Sequence, residues 1–357
     1  MIRRVVAASL ATAASVVGLR FVARRAGARL LAAPRTMPGE AALGPALDAL
    51  GGEVVRFRSR DGLRLAARWL PAEPVGVPDP WRPDPRDAIL LLHGWSGSCA
   101  PDIVEYGPFL RRTAGVLGLD FGGHGASDAA PTTFGLREVE DVAGALAWLG
   151  ERGIERVAIM GISMGGTTAI AAVVVLGDGS LPGDDVDPAA AAHVAAPRRP
   201  HIVAIVADSV ASELAVPIAS RLRGPGRRLL AGRSLDAVAR MLGADPRETE
   251  PRRVVGLLDG PALLLIWGMA DTTVPLADAR RLAAVAPDGT TQLFVPGAEH
   301  GRAHATDPAG YESRVTEHLR AAFTSWTGTT PIIRTPGPRS IVPDPADVGD
   351  PANSVED

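Results

Sequence analysis

Ser163 stands in the run Gly161-Ile162-Ser163-Met164-Gly165, with Gly166 next. A serine hydroxyl is a weak nucleophile and needs an adjacent base to take its proton. Glycines two positions before and after it suit a strained strand-to-helix turn, where side chains would strike neighbouring strands. Glycine is common here, at 40 of 357 residues, so the run alone also fits a turn that merely packs a helix closely. Two later residues extend the chemistry. His300, in Glu299-His300-Gly301, is a candidate base, and Asp271, in Met269-Ala270-Asp271, is a candidate group to orient its imidazole. Serine, histidine and carboxylate together point to acyl transfer through a covalent intermediate. A lone loop histidine is usually structural, and His300 is raised above that prior by its place in the series. Asp208 is a rival acid. Glu299 is a weaker one, because a side chain cannot easily reach its neighbour's ring.

These residues need elements that bring them together. Val54 to Arg58 and Leu63 to Leu70 alternate apolar and polar residues around the turn Asp61-Gly62, which predicts an antiparallel hairpin. Continuous apolar runs follow at Ala88–Leu92, Ala114–Leu119, Val157–Met160, Ile202–Ala207, Ala262–Trp267 and Gln292–Val295, as expected of strands buried on both faces. Helical periodicity separates some of them, over Leu136–Leu149, Leu276–Val285 and Tyr311–Phe323. The alternation predicts an α/β fold with a mostly parallel sheet covered by helices on both faces. Such a sheet places its site beyond the carboxyl ends of its strands. Ser163, Asp271 and His300 all fall just past predicted strand ends. His93-Gly94-Trp95 also follows a strand, and its loop is where a second oxyanion donor is expected beside the N–H after the serine. That assigns the N–H groups of Trp95 and Met164. His93, and His124 in the loop Asp120 to Ser127, are read as structural.

With those segments in view, the chain resembles the α/β-hydrolase superfamily, in particular its serine-aminopeptidase-like and BEM46-like members. The matching pieces are LLLHGWSGS at Leu90–Ser98, LDFGGHGASD at Leu119–Asp128, AIMGISMGG at Ala158–Gly166, LLLIWGMADTTVP at Leu263–Pro275 and VPGAEHG at Val295–Gly301. The resemblance covers roughly residues 52–326. It implies a Ser163–Asp271–His300 triad in that chain order, a nucleophile elbow at Ser163 and a short helical lid near 209–256. It implies a small-molecule ester or acyl substrate and no metal or organic cofactor. The lid region holds nine arginines against five acidic residues, which disfavours capture of a substrate ammonium group and so favours ester over aminopeptide cleavage. Two readings stand beside the esterase: an amide hydrolase with the same triad, and a non-catalytic binding protein of the same fold. The intact trio argues against the latter.

Composition sets outer limits. A hydrophobic share of 46% and a charged share of 22% exclude wholesale disorder, and a net charge of −3 makes a nucleic-acid partner unexpected. There is no lysine, so lysine Schiff-base and P-loop chemistry are excluded. The single cysteine, Cys99, rules out an intramolecular disulfide and a thiolate zinc cluster. At the N-terminus, within residues 1–30, Arg3 and Arg4 precede the apolar run Val5–Leu19, which Phe21, Val22 and Ala23 extend past Arg20. The segment 5–23 reads as a retained membrane anchor, with a cleaved signal peptide or a leader on a cytoplasmic protein as alternatives. A loose acidic and Ala-rich insertion is expected near 177–200, and a disordered tail over 331–357. A fragment from about Gly51 to Gly328 is expected to fold and act by itself.

Overall fold

The computed structural model describes residues 18–73, 79–177 and 199–326. The insertion expected near 177–200 lies almost wholly outside the described residues, as do the tail and the run Val5–Val17. The eight predicted strands are β1 (Glu53–Arg58), β2 (Arg64–Leu70), β3 (Asp87–Leu92), β4 (Gly115–Asp120), β5 (Arg156–Ile162), β6 (His201–Asp208), β7 (Ala262–Gly268) and β8 (Thr291–Val295). They form one sheet in the order β1-β2-β4-β3-β5-β6-β7-β8. β2 runs antiparallel to both β1 and β4, and every other pairing is parallel. The hairpin register pairs Arg58 with Arg64 around the turn that Gly62 closes at φ 95°.

The helices are α1 (residues 18–31), α2 (Gly44–Leu50), α3 (Ala100–Leu110), α4 (Glu138–Glu151), α5 (Met164–Leu176), α6 (Ala215–Ser220), α7 (Arg227–Leu242), α8 (Pro251–Val254), α9 (Leu276–Ala283), α10 (Ala303–Thr306) and α11 (Pro308–Ser325). Side chains alternate across each strand, so the sheet builds a core on both faces. Leu90, Leu92, Val157 and Ile159 pack with α4 and α5 residues such as Leu146 and Ile170. Ile89, Leu91, Ala158 and Met160 pack on the other face with Ile103 of α3 and Val315 of α11. β3 is buried at all six positions, which explains the apolar run Ala88–Leu92; Asp87 at its start is buried in an ion pair with Arg156. Each leucine so buried contributes about 1.5–3 kcal/mol of hydrophobic stabilisation before entropy is counted.

Parallel order carries the ends of β3, β5, β6, β7 and β8 to one edge of the sheet. The chain leaves that edge between β6 and β7 to form α6, α7 and α8, in the region expected as a lid. Helix α1 packs on this region. A Cβ at Gly27 would lie 3.0 Å from the Ser234 carbonyl oxygen and 3.3 Å from Val238 Cγ2 of α7, and Ala23, one turn earlier, is buried. Of the expected span 5–23, residues 5–17 lie outside the described residues, and in residues 18–23 Ala23 is buried while Leu19, Phe21 and Val22 are exposed. Residues 18–23 belong to a helix that carries Arg20, Arg24, Arg25 and Arg29 and lays its small-residue face on protein. Among the described residues, no helix is long and apolar enough to cross a membrane.

Candidate active site

β5 ends at Ile162 and α5 begins at Met164, leaving Ser163 alone in the turn with φ 54° and ψ −110°. A left-handed φ is strained for a side chain with a Cβ, and the surroundings must hold it. The close approach needs glycine on both sides. A Cβ on Gly161 would meet the Gly165 carbonyl carbon at 2.2 Å, and one on Gly165 would meet the Leu92 carbonyl oxygen at 2.1 Å. The Ser163 N–H donates to the Asp208 carbonyl at 2.7 Å, fixing the turn to the neighbouring strand.

His300 follows β8, and its imidazole reaches both partners. Nε2 lies 3.0 Å from Ser163 Oγ, and Nδ1 lies 2.7 Å from Asp271 Oδ2. The Asp271 side chain is fully enclosed, and its Oδ1 accepts the N–H groups of Thr273 and Val274 at 2.7 and 2.8 Å. A carboxylate held this way keeps the proton of His300 on Nδ1 and leaves Nε2 free to accept one from Oγ. Asp208, the rival acid, is occupied elsewhere. Its Oδ2 accepts from the Tyr311 hydroxyl and its Oδ1 from the Ser209 hydroxyl, both at 2.8 Å. Burial pushes its carboxyl up to about 6, against the pull of those two hydrogen bonds. Ser209, itself at φ 58°, accepts the Gly301 N–H at 2.9 Å. Asp208 thus supports the loop that carries His300 rather than the imidazole itself.

Gly94 stands against the serine, since a Cβ there would lie 3.9 Å from Ser163 Cβ. The next residue, Trp95, borders the same cavity as Ser163 and Met164. Met164 is the first residue of α5, so its N–H has no acceptor within that helix. The loop before Trp95 is held by two histidines. His93 accepts the Phe121 N–H on Nε2 and donates from Nδ1 to the Gly94 carbonyl at 2.7 Å. Burial lowers the His93 pKa to about 4, which keeps Nε2 free to accept. His124 Nε2 lies 2.9 Å from the Trp95 carbonyl, which can only accept, so this nitrogen donates.

The cavity over Ser163 spans about 580 Å³, part of it open to solvent. Leu30, Phe134, Leu214, Ile218 and Val274 supply apolar wall, and among the described residues Arg221 is the one charged residue on it. Phe134 sits at φ 60°, held by Glu138, whose carboxylate accepts from Thr133 and Gly135 N–H groups at 2.7 and 2.8 Å. Among the described residues, the non-glycine residues with positive φ are Phe134, Ser163 and Ser209, and all three serve this site. Sequence reasoning missed Leu30, Phe134, Ser209 and Arg221. Among the described residues no group of three or more His, Cys, Asp or Glu side chains is arranged to hold a metal ion.

The fold, the turn at Ser163 and the contacts of His300 can now be set beside known proteins. Residues 89–314 match the family described as "Alpha/beta hydrolase family". The chain belongs to the alpha/beta hydrolase family. It is 25% identical over 253 residues to the uncharacterized protein YfhR of Salmonella typhi, covering 70% of this chain and 74% of that protein. Its fold is similar to the esterase Pf2001 of Pyrococcus furiosus, with a TM-score of 0.54 at 21% identity, over 82% of this chain and 98% of that one. It is also similar to the alpha/beta hydrolase GrgF of Penicillium sp. sh18, with a TM-score of 0.52 at 19% identity, over 77% of this chain and all of the other. This alpha/beta hydrolase thus has the expected sheet, its antiparallel hairpin and its surrounding helices.

Proposed function

We propose that this alpha/beta hydrolase cleaves carboxylic esters with Ser163 as nucleophile. The observation that carries the reading is the continuous contact from Ser163 Oγ through His300 to the enclosed Asp271 carboxylate. Oγ attacks the ester carbonyl carbon as its proton passes to His300 Nε2, and Asp271 stabilises the resulting imidazolium. The N–H groups of Met164 and Trp95 bind the negative oxygen of the tetrahedral intermediate at the N-terminus of α5. His300 returns the proton to the departing alkoxide, leaving an acyl-serine. A water molecule, deprotonated by His300, attacks the acyl carbon and restores the enzyme.

An ester is favoured over an aminopeptide because, among the described residues, no carboxylate lines the cavity to hold a substrate ammonium group. A purely binding role is disfavoured, because it gives no reason to hold three groups in proton-transfer contact behind a strained serine. The test is hydrolysis of a series of nitrophenyl esters by the wild type and by Ser163→Ala. The wild type is expected to turn over, and the variant to lose activity by a factor on the order of 10⁶ while keeping its circular dichroism spectrum. A variant with near wild-type turnover would remove Ser163 from the reaction.

A further inference from the structure

Resting on that ester-hydrolase reading, we infer that Arg221 is a specificity residue that selects esters carrying a carboxylate, such as half-esters of dicarboxylic acids. Arg221 caps the C-terminal end of α6 and shares the cavity wall with Ser163. Of the other lid arginines, Arg233 pairs with Asp236, Arg247 with Asp236 and Asp245, Arg252 with Glu213, and Arg253 with Glu250, and none of the nine but Arg221 lines the cavity among the described residues. Among the described residues, Arg221 has no ion pair. A guanidinium offers five N–H donors, and among the described residues this one uses Nη1 alone, for the carbonyl of Pro217 in its own helix at 2.8 Å. That bond and the Trp95 ring, 5.7 Å from the guanidinium carbon, hold the group in place without neutralising it. Asp271 is the carboxylate within electrostatic range, but both its oxygens are engaged by His300, Thr273 and Val274.

The rest of the wall decides what the cation is for. Leu30, Phe134, Leu214, Ile218 and Val274 suit a methylene chain. A cation on a mostly apolar wall, where Thr167 is the other polar side chain beside Ser163 among the described residues, favours one substrate shape, an acyl chain with an anion beyond it. Arg221 is exposed at the rim of the cavity, and an uncompensated guanidinium there is suited to a bidentate carboxylate. The acyl carbon reacts at Ser163 while the distal carboxylate pairs with Arg221, and the pair is in place before and during reaction, so it acts on KM.

The test compares the mono-nitrophenyl ester of adipic acid with its methyl-capped, neutral counterpart, in the full chain. Wild-type kcat/KM for the anionic ester is expected to exceed that for the neutral one by about tenfold or more, through KM. The ratio is expected to shrink as salt is raised. Arg221→Gln should bring the ratio to one or below, and Arg221→Lys should restore part of it. A wild type that shows no preference for the anion overturns the inference, as does an Arg221→Gln that slows both esters equally, the result expected if Arg221 only props Trp95. Failure of the hydrolase reading looks different, because then neither ester is cleaved and no fluorophosphonate adduct forms.

Discussion

The indole Nε1–H of Trp95 donates to the main-chain carbonyl of Leu30 at 3.0 Å. One hydrogen bond thus joins the loop after β3 to the C-terminal turn of α1, a helix that lies outside the span 52–326 that the sequence assigns to the domain. The neighbouring contacts run the same way. The Thr132 N–H donates to Leu31, the Gly125 N–H donates to Arg35, and the Arg35 guanidinium donates back to Ser127. Residues 30–35 form one flank of the candidate site.

A chain that begins at Gly51 is therefore expected to be impaired, unlike the self-sufficient fragment the sequence suggests. It lacks the Leu30 wall, the acceptor for Trp95 and the cover that α1 gives α7. Thermal melting should fall by several degrees relative to the full chain, and kcat/KM for a medium-chain nitrophenyl ester by about tenfold or more. Equal melting and equal turnover would show that α1 is dispensable.

Asp271 and Asp208 are expected to separate by assay. Asp271→Asn should lower kcat by about 10⁴-fold, because an amide no longer holds the required imidazole tautomer. Asp208→Asn should act mainly on stability, on the order of 1 kcal/mol, by weakening the bonds from Tyr311 and Ser209. Measuring kcat and the denaturation midpoint of both variants checks this. A larger kcat loss in Asp208→Asn would reverse the two roles.

Stability should fall as pH rises. Burial, with Glu105 nearby, raises the Asp102 carboxyl to about 8, and burial raises Asp141 to about 8 against the Gly122 N–H that it accepts. Each has one carboxyl oxygen without a hydrogen-bond partner. A carboxyl raised in the folded state binds a proton that the unfolded chain has released. Its stabilising contribution is complete below the unfolded value of 3.8 and is lost as pH rises through about 8. Melting temperatures are therefore expected to decline from about pH 4 to about pH 8 and to level off above it, and Asp102→Asn should flatten that decline. An unchanged slope in the variant would place the loss elsewhere.

The sheet was readable because strands buried on both faces must be apolar throughout. Ala262–Trp267 was expected and Ala262–Gly268 is found. The strand ends then located Ser163, Asp271 and His300, since parallel order leaves few places for them. Helix α3 escaped notice because Pro101 and Pro108 lie within it and mask its helical signal. The contact of α1 with α7 is not legible in the sequence, because its packing face, Ala23 and Gly27, has meaning only against α7. Arg221 was one of nine lid arginines, and nothing in the sequence tells which of them faces the cavity. Ser209 gave no sign of its left-handed backbone, since Asp-Ser after a strand is ordinary.

The most direct test of the account is the intact mass of the full chain after treatment with a fluorophosphonate, followed by peptide mapping. A serine whose Oγ is activated by His300 is expected to take one adduct on Ser163, and Ser163→Ala or His300→Ala should take none at the same dose. An unlabelled wild type, or an adduct that persists in Ser163→Ala, would contradict the assignment of Ser163 as the nucleophile.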